Sequence, residues 1–408
     1  MDFVRQIVKN PEMFYTLGMK NTLEHITFRV NWKLSEKSNN LLGQCYAYIN
    51  SMVNIPIQPD YRQQLLTVSL NKGALATTAI EGNTLTEDDL AQILEGKDLA
   101  PSKKYQQTEV KNIIDAFNAI LNELINEKTP EIVSPELIKR FNEMVGKNIG
   151  GNFNGNPGQL RRRNVTVGAY RPPSFEMVED MVQKLCDWLI KEFHYGHEQT
   201  FNEAVVEAVV SHVYIAWIHP FLDGNGRTAR LLEFYLLMRA GVPNIASHIL
   251  SNHYNNTRAE YYRQLQLASE TGNLSSFIEY ALEGFCDGLE NTIKIIHKDQ
   301  FELTWKNYVH DEIEKLRDIG KSEKTRERLR QLAYHIRSDR FYSTNEIIIL
   351  HYKIANAYSG LNEITLRRDL EYLVQKGLLT EEKNKYSANY KLLQYLLPGT
   401  SVQLKRHY

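Results

Sequence analysis

Twelve residues, His219 to Arg230, read HPFLDGNGRTAR and set a candidate base, a carboxylate, a Gly-Asn-Gly turn and two arginines in one short run. Histidine titrates near neutrality and can take a proton from an attacking hydroxyl. Gly224 and Gly226 flank Asn225 and let successive backbone N–H groups converge on an anion, since glycine adopts positive φ without a Cβ penalty. Arg227 and Arg230 share one helix face and can fork onto neighbouring phosphate groups. Asp223, a lone carboxylate beside phosphates, suits Mg²⁺, a hard cation that prefers oxygen ligands and keeps its waters. The run therefore reads as a polyphosphate site with a general base on its rim.

Two helices must hold that loop. Phe201 to Trp217 is apolar around most of its circumference and predicts a buried central helix that delivers His219 at its end, where Pro220 stops regular hydrogen bonding. Leu231 to Leu237 predicts a second helix, whose N-terminus aims unpaired donors and a positive dipole end at the same place.

The string resembles the signature of the Fic (filamentation-induced) family, HxFx(D/E)GN(G/K)RxxR, met at His219, Phe221, Asp223, Gly224, Asn225, Gly226, Arg227 and Arg230 without departure. The resemblance implies transfer of AMP from ATP to a Ser, Thr or Tyr hydroxyl of a protein target. By it, His219 would deprotonate the hydroxyl and Asp223 would hold Mg²⁺. Gly224, Asn225 and Gly226 would form the anion hole, Arg227 would steady the phosphates, and Arg230 would grip the γ-phosphate. A related branch with Lys at the position of Gly226 acts as a kinase, so Gly226 argues for adenylyl transfer.

Three further segments resemble the same family. TTAIEGN, Thr77 to Asn83, fits an (S/T)xxxE(G/N) inhibitory motif at Thr77, Glu81 and Gly82. By the family's logic Glu81 would pair with Arg230 and hold ATP unproductively, and in some relatives the same Glu orients a water that removes AMP. The glycine-rich run from Gly150 to Pro173 is similar to a hairpin flap, with Gly158, Arg161, Val165 and Val167 in its pattern; a protein target would add a strand against residues 158–173. Arg161, Arg162 and Arg163 read as solvated or target-contacting rather than as ATP ligands. Ser251 to Leu267 is similar to a stretch that walls adenosine, which makes Tyr254, Tyr261 and Tyr262 candidates there.

Helical periodicity dominates the whole chain, so the expected fold is mainly α; the resemblance implies that it is a Fic-type helical core with a short β-hairpin flap. Helices are predicted over Trp32–Met52, Asp60–Glu81, Glu87–Leu94 with a Thr86/Asp89 capping box, and Gln106–Glu127, with Ser134 as N-cap and Pro135 at N1 of another. Beyond Phe301, three helices (Thr325–Ile336, Ser343–Ala355, Asn362–Gln375) and a wing over Leu379–Leu392 are expected. ITLRRDLEYLVQKGLL resembles the recognition helix of bacterial winged-helix regulators. The division expected is 1–104, an N-terminal helical region with the inhibitory motif; 105–300, the catalytic core; and 301–408, a winged helix-turn-helix domain. Between Leu361 and Leu392 six basic residues (Arg367, Arg368, Lys376, Lys383, Lys385, Lys391) meet five acidic ones (Glu363, Asp369, Glu371, Glu381, Glu382), a weak phosphate-binding footprint. Residues 325–392 thus fit DNA or a protein partner equally.

Composition bounds the rest. Lys plus Arg at 48 against Asp plus Glu at 49 leaves a net charge of -1, so no global field recruits nucleic acid or anionic membrane. Cys45, Cys186 and Cys286 are too few and scattered for a disulfide framework and fit a reducing compartment. The start, MDFVRQIVKNPEM, has no apolar core of signal-peptide length. The expectation is a soluble cytoplasmic protein with no membrane partner; self-modification and oligomer formation are left open. The alternative from another class is a nucleotide-sensing, DNA-binding transcriptional regulator with a catalytically weak site. A zinc hydrolase using His212 and His219 lacks the HExxH motif, His212 reading more simply as a core histidine with a backbone partner, and no GxxxxGK(S/T) P-loop is present.

Overall fold

Side-chain caps set where eight of the described helices begin. The computed structural model describes residues 23–126, 132–194 and 199–394. The initial MDFVRQIVKNPEM stretch, Glu127 of the predicted fourth helix and residues 395–408 of the C-terminal region lie outside them. Ser35 accepts from the Ser38 N–H and opens α1 (Glu36–Asn54), so Trp32, expected inside that helix, precedes its cap. α2 (Pro59–Ile80) has Pro59 in its first turn and ends with Glu81 as C-cap and Gly82 at φ +100°. Thr86 and Asp89 cap each other reciprocally ahead of α3 (Glu87–Leu94). α4 (Lys104–Asn126) and α5 (Pro135–Gly146) follow, the latter capped by Ser134.

α6 (Phe175–Glu192) leads to α7 (Phe201–Ile218), which starts at a Thr200/Glu203 capping box. α8 (Asn225–Arg239) comes next, then α9 (Ile249–Asn256), α10 (Arg258–Thr271) and the long α11 (Ser275–Glu314). α7 and α8 are buried on nearly every side and pack against each other, with α4 and α5 also against α8 and α9 laid on α2. The loop 219–224 that joins α7 to α8 is therefore suspended between the two most buried helices. Between α5 and α6 the expected flap is reduced to a single antiparallel bridge, Val167 to Tyr170, around Gly168 at φ +56°. The β-favouring patch Asn164 to Val167 does not extend into strands, because Asn164 spends its side chain on the Phe175 N–H at 2.9 Å and Pro172 and Pro173 follow.

The chain divides into two compact units, Met1–Lys294 and Ile295–Tyr408. The second contains α12 (Glu323–His335), β1 (Tyr342–Ser343), α13 (Thr344–Leu350), α14 (Tyr352–Tyr358), α15 (Glu363–Gln375), β2 (Leu379–Glu382), β3 (Lys385–Ala388) and α16 (Lys391–Gln394). Its sheet runs β1-β3-β2, antiparallel throughout, with Leu379 opposite Ala388 and Tyr342 opposite Tyr386. Lys383 and Asn384 both take positive φ (50° and 58°), the backbone of a two-residue hairpin turn. The helix expected over Ser343–Ala355 breaks at His351, which is extended (φ -153°) and caps the Lys353 N–H with its ring. Trp305, Leu332, Ile347, Leu366, Leu370 and Tyr386 belong to this unit's core, and the Trp305 indole donates to the Ala333 carbonyl at 2.9 Å. Among the described residues no helix is long and apolar enough to cross a membrane.

Candidate active site

α7 ends at His219 in the left-handed conformation (φ 51°, ψ 60°), which costs a residue with a β-carbon about 1–2 kcal/mol. What holds it there is Arg161, only 2% exposed. The Arg161 guanidinium donates from Nε to the His219 carbonyl at 2.8 Å, from Nη1 to that of Arg163 at 3.2 Å, and from Nη2 to those of Ile218 (3.4 Å) and Pro173. Its own N–H donates to the Pro220 carbonyl at 2.9 Å. Arg161 is thus no solvated member of the Arg161–Arg163 run, as expected above; only Arg162 and Arg163 are exposed. Burial pushes the His219 imidazole down to about 4, the nearby Arg161 charge acting the same way while the Ala216 hydrogen bond, Glu81 and Asp223 oppose it. At neutral pH the ring is uncharged, the form that accepts a proton.

The loop beyond His219 is braced from two sides. Asn225 accepts the Phe221 N–H and donates to the Phe221 carbonyl, both at 2.9 Å, which closes the bend on itself. Its side chain is therefore a loop staple and not a ligand-facing group, a correction to its place among the catalytic residues; its contribution to an anion site is its backbone N–H. Asn142, wholly buried, donates to the Asp223 carbonyl (3.0 Å) and to Thr228 Oγ1 (3.1 Å) and accepts the Gly158 N–H (2.9 Å). Gly224 caps α8 at φ +75° and offers no side chain to the first-turn N–H groups, leaving them for an anion.

Asp223 is tied by both oxygens: Oδ1 accepts from Arg227 at 2.9 Å and from the Gly224 N–H at 2.5 Å, and Oδ2 from the Asn154 N–H at 3.0 Å. Among the described residues no three His, Cys, Asp or Glu gather into a metal cluster. A single carboxylate completed by phosphate and water oxygens is nonetheless the donor set Mg²⁺ commonly takes, so the residues present fit that ion.

The two arginines are engaged by carboxylates from other helices. Arg230, 2% exposed, donates from Nε to Thr77 Oγ1 at 2.6 Å and from Nη2 to the Thr77 carbonyl at 2.9 Å and Glu81 Oε1 at 2.6 Å. Burial opposes ionisation of Glu81, but the charge and hydrogen bond of Arg230, aided by Arg227 and His219, hold its carboxyl below the usual range. A β-carbon on Gly226 would fall on that carboxylate and within 3.1 Å of Arg230 Nη1, so the space over the first turn of α8 is filled by Glu81. Arg227 donates from Nη1 to Glu109 Oε1 at 2.6 Å and from Nη2 to Asp223. Arg227 Nε and Arg230 Nη1 are buried without a hydrogen-bond partner. A buried donor left unpaired costs about 1–3 kcal/mol, and more on a charged group, which an anion oxygen would relieve.

The end of α2 is clamped in turn: the Arg258 guanidinium and the Tyr262 hydroxyl (3.2 Å) both donate to the Ile80 carbonyl. Gly82, the third residue of the inhibitory pattern, supplies the turn after Glu81; its N–H donates to the Ala79 carbonyl at 2.9 Å, and a β-carbon there would meet no atom within 4 Å. Tyr262 is about half exposed and stays beside this end. Tyr254 does not: fully buried, it donates to Glu233 at 2.8 Å and stacks on Tyr261 at 4.8 Å, so it is a core residue and offers no face to adenosine. His212 is also core, but its partners are the Tyr261 hydroxyl (2.9 Å) and Glu233 (3.4 Å), not the expected backbone group. Sequence reasoning missed Asn142, Glu109 and Arg258, and it placed Arg161 in the flap without its grip on His219; the partner of each lies far along the chain, and no local pattern marks the pairing.

Residues 132–237 match the model of the Fic/DOC family. The chain carries a Fic domain. That domain contains α5, the flap and the whole 219–230 run, whereas Glu81 and Glu109 lie outside it. The chain is 32% identical over 209 residues to protein adenylyltransferase fic-1 of Caenorhabditis elegans, a match covering 50% of this chain and 37% of that protein. It is 31% identical over 208 residues to protein adenylyltransferase Fic of Nematostella vectensis, covering 50% and 44%. It thus spans under half the length of these curated relatives. A Fic family protein from Desulfovibrio desulfuricans G20 shares the fold at 17% identity and a TM-score of 0.54, over 88% of this chain and 98% of the other. Fic-1 from C. elegans does so at 24% and 0.52, over 64% and 73%.

Proposed function

We propose that this chain is a protein adenylyltransferase, moving AMP from ATP to a Ser, Thr or Tyr hydroxyl of a protein target. The observation that carries the reading is a neutral, half-buried His219 on the same loop as an uncapped helix N-terminus and two arginines. His219 takes the hydroxyl proton as the oxygen attacks the α-phosphorus and pyrophosphate leaves. The first-turn N–H groups of Asn225 and Gly226 face the charge that develops on the phosphate, and Arg227 and Arg230 hold the remaining phosphates in line. Asp223 would hold Mg²⁺, an ion that neutralises phosphate charge when bound.

Glu81 is the brake in this reading. Its pair with Arg230 at 2.6 Å uses the guanidinium that the γ-phosphate needs, and both acceptors suit the same forked donor. The same carboxylate, beside a neutral imidazole, could also serve removal of AMP. Self-modification belongs to the reading too, as does work in the cytoplasm, in keeping with three buried free thiols. For residues 301–408 we infer a winged helix-turn-helix, supported by α14 and α15 followed by the β2–β3 hairpin. The exposed residues of α15 mix Ile364, Arg367, Arg368 and Glu371, less basic than a phosphate-reading helix, which puts a protein partner ahead of DNA.

Intact mass after incubation with ATP and Mg²⁺ tests the core of this. Glu81→Gly should place an adenylyl group on the chain itself or on proteins of a lysate, and His219→Ala in that background should place none. A Glu81→Gly chain that stays unmodified and modifies nothing overturns the reading.

A further inference from the structure

The second motif arginine has its carboxylate, and so does the first. Arg227 is 5% exposed, and its Nη1 lies 2.6 Å from Glu109 of α4, itself only 13% exposed. The other Glu109 oxygen accepts from the Asn83 amide at 3.0 Å. Asn83 is buried, follows Glu81 and Gly82 directly, and also donates to the Gln106 carbonyl at 3.1 Å while its own oxygen caps the Leu85 N–H at 3.0 Å. One stretch of chain therefore plants Glu81 on Arg230 and, two residues later, grips the carboxylate that fixes Arg227.

We propose that Glu109 is the positioning residue for Arg227, and that through Asn83 its grip is tied to the segment bearing Glu81, so the two arginines are set together. Two of the three Arg227 nitrogens are bound, Nη1 to Glu109 and Nη2 to Asp223, which fixes the guanidinium plane and leaves Nε as the buried donor without a partner. Removing the Glu109 charge leaves Asp223 as the one ionic partner of Arg227, so the plane is free to turn. The Asn83 link gives the segment after α2 an anchor on α4 that is separate from the Glu81–Arg230 pair. A second carboxylate at position 83 would face that of Glu109 across a hydrogen-bond distance, and like charges so close repel strongly.

This inference rests on the adenylyltransferase reading, and the test separates the two. In the full-length Glu81→Gly chain, steady-state adenylylation is measured with ATP varied, with and without Glu109→Gln. Glu109→Gln should raise the KM for ATP about tenfold, the scale of one lost charge-assisted hydrogen bond, with a smaller change in kcat. A merely structural role would lower the active fraction, and so kcat, without moving KM. With Glu81 intact, Asn83→Asp should raise adenylylation several-fold, and Glu109→Gln should abolish that gain by removing the repulsion. Thermal melts on each variant confirm that folded chains are compared. If Glu81→Gly is active yet Glu109→Gln leaves its KM unchanged, or Asn83→Asp gives no gain, the proposal is overturned. If Glu81→Gly is itself inactive, it is the adenylyltransferase reading that fails.

Discussion

At the scale of single residues, the environment of His219 makes a pH prediction whose sign is fixed. In the proposed reaction His219 is the base and works when neutral, and burial holds its folded value near 4 instead of 6.5. Activity of the Glu81→Gly chain should therefore stay level as pH falls through 6.5 and decline only on approach to 4; removing Glu81, which raises the value, moves the limb further down. A pH profile of kcat/KM with an acid limb near 6.5 would contradict this. Arg161 makes a second prediction. Lysine keeps the charge but cannot fork onto several carbonyls, so Arg161→Lys should release the left-handed turn at His219 and cut kcat by about 10–100-fold, with the KM for ATP nearly unchanged. Initial rates at varied ATP would show the split. HPFLDGNGRTAR was legible as a candidate site because residue type and spacing alone bring a base, a carboxylate and two arginines together. The Arg161 role was not, because three successive arginines look alike until one of them is buried.

At the scale of elements, the joint between α7 and α8 and the clamp on α2 each make a prediction. Gly224 is at φ +75°, and a β-carbon there would meet Asn142, Val145 and Phe153 at 3.0–3.2 Å. Gly224→Ala should destabilise the fold by about 1–3 kcal/mol, read from denaturant unfolding, since strain and crowding both act against it. Arg258 donates to the last carbonyl of α2. Arg258→Ala should loosen the end that carries Glu81 and raise adenylylation roughly 3- to 10-fold in the otherwise native chain, the scale of one hydrogen bond, while doing little in Glu81→Gly. Equal effects in both backgrounds would sink that account. Element starts were legible where a local cap was read, as at Thr86 and Ser134, but not at Ser35, whose equally local cap starts α1 beyond the expected Trp32. The flap and the break at His351 were not, because β propensity and helical period say nothing of Asn164 binding Phe175 or of an imidazole capping its own chain.

At the scale of the whole molecule, residues 295–408 have a core of their own, with Trp305 and Leu370 fully or almost fully buried in it. Leu370→Ala should cost about 2–5 kcal/mol in the unfolding of that unit. Trp305 is the one tryptophan there among four in the chain, so a chain keeping only Trp305 reports it by fluorescence. A cost below about 1 kcal/mol, well short of that range, would mean that this core is not packed as described.

What the amino-acid order determined alone is chemical identity and local geometry: a base, a cradle, two arginines, and a carboxylate ahead of a glycine turn, each readable because its meaning depends on neighbours within a turn or two of chain. Only tertiary structure decided which partners those groups take. Glu109 reaching Arg227 over 118 positions and Arg161 reaching His219 over 58 are contacts between helices and loops that sequence distance keeps apart. Such pairs follow from how α2, α4 and α8 pack, and packing depends on the whole buried surface at once, which no short window of residues contains.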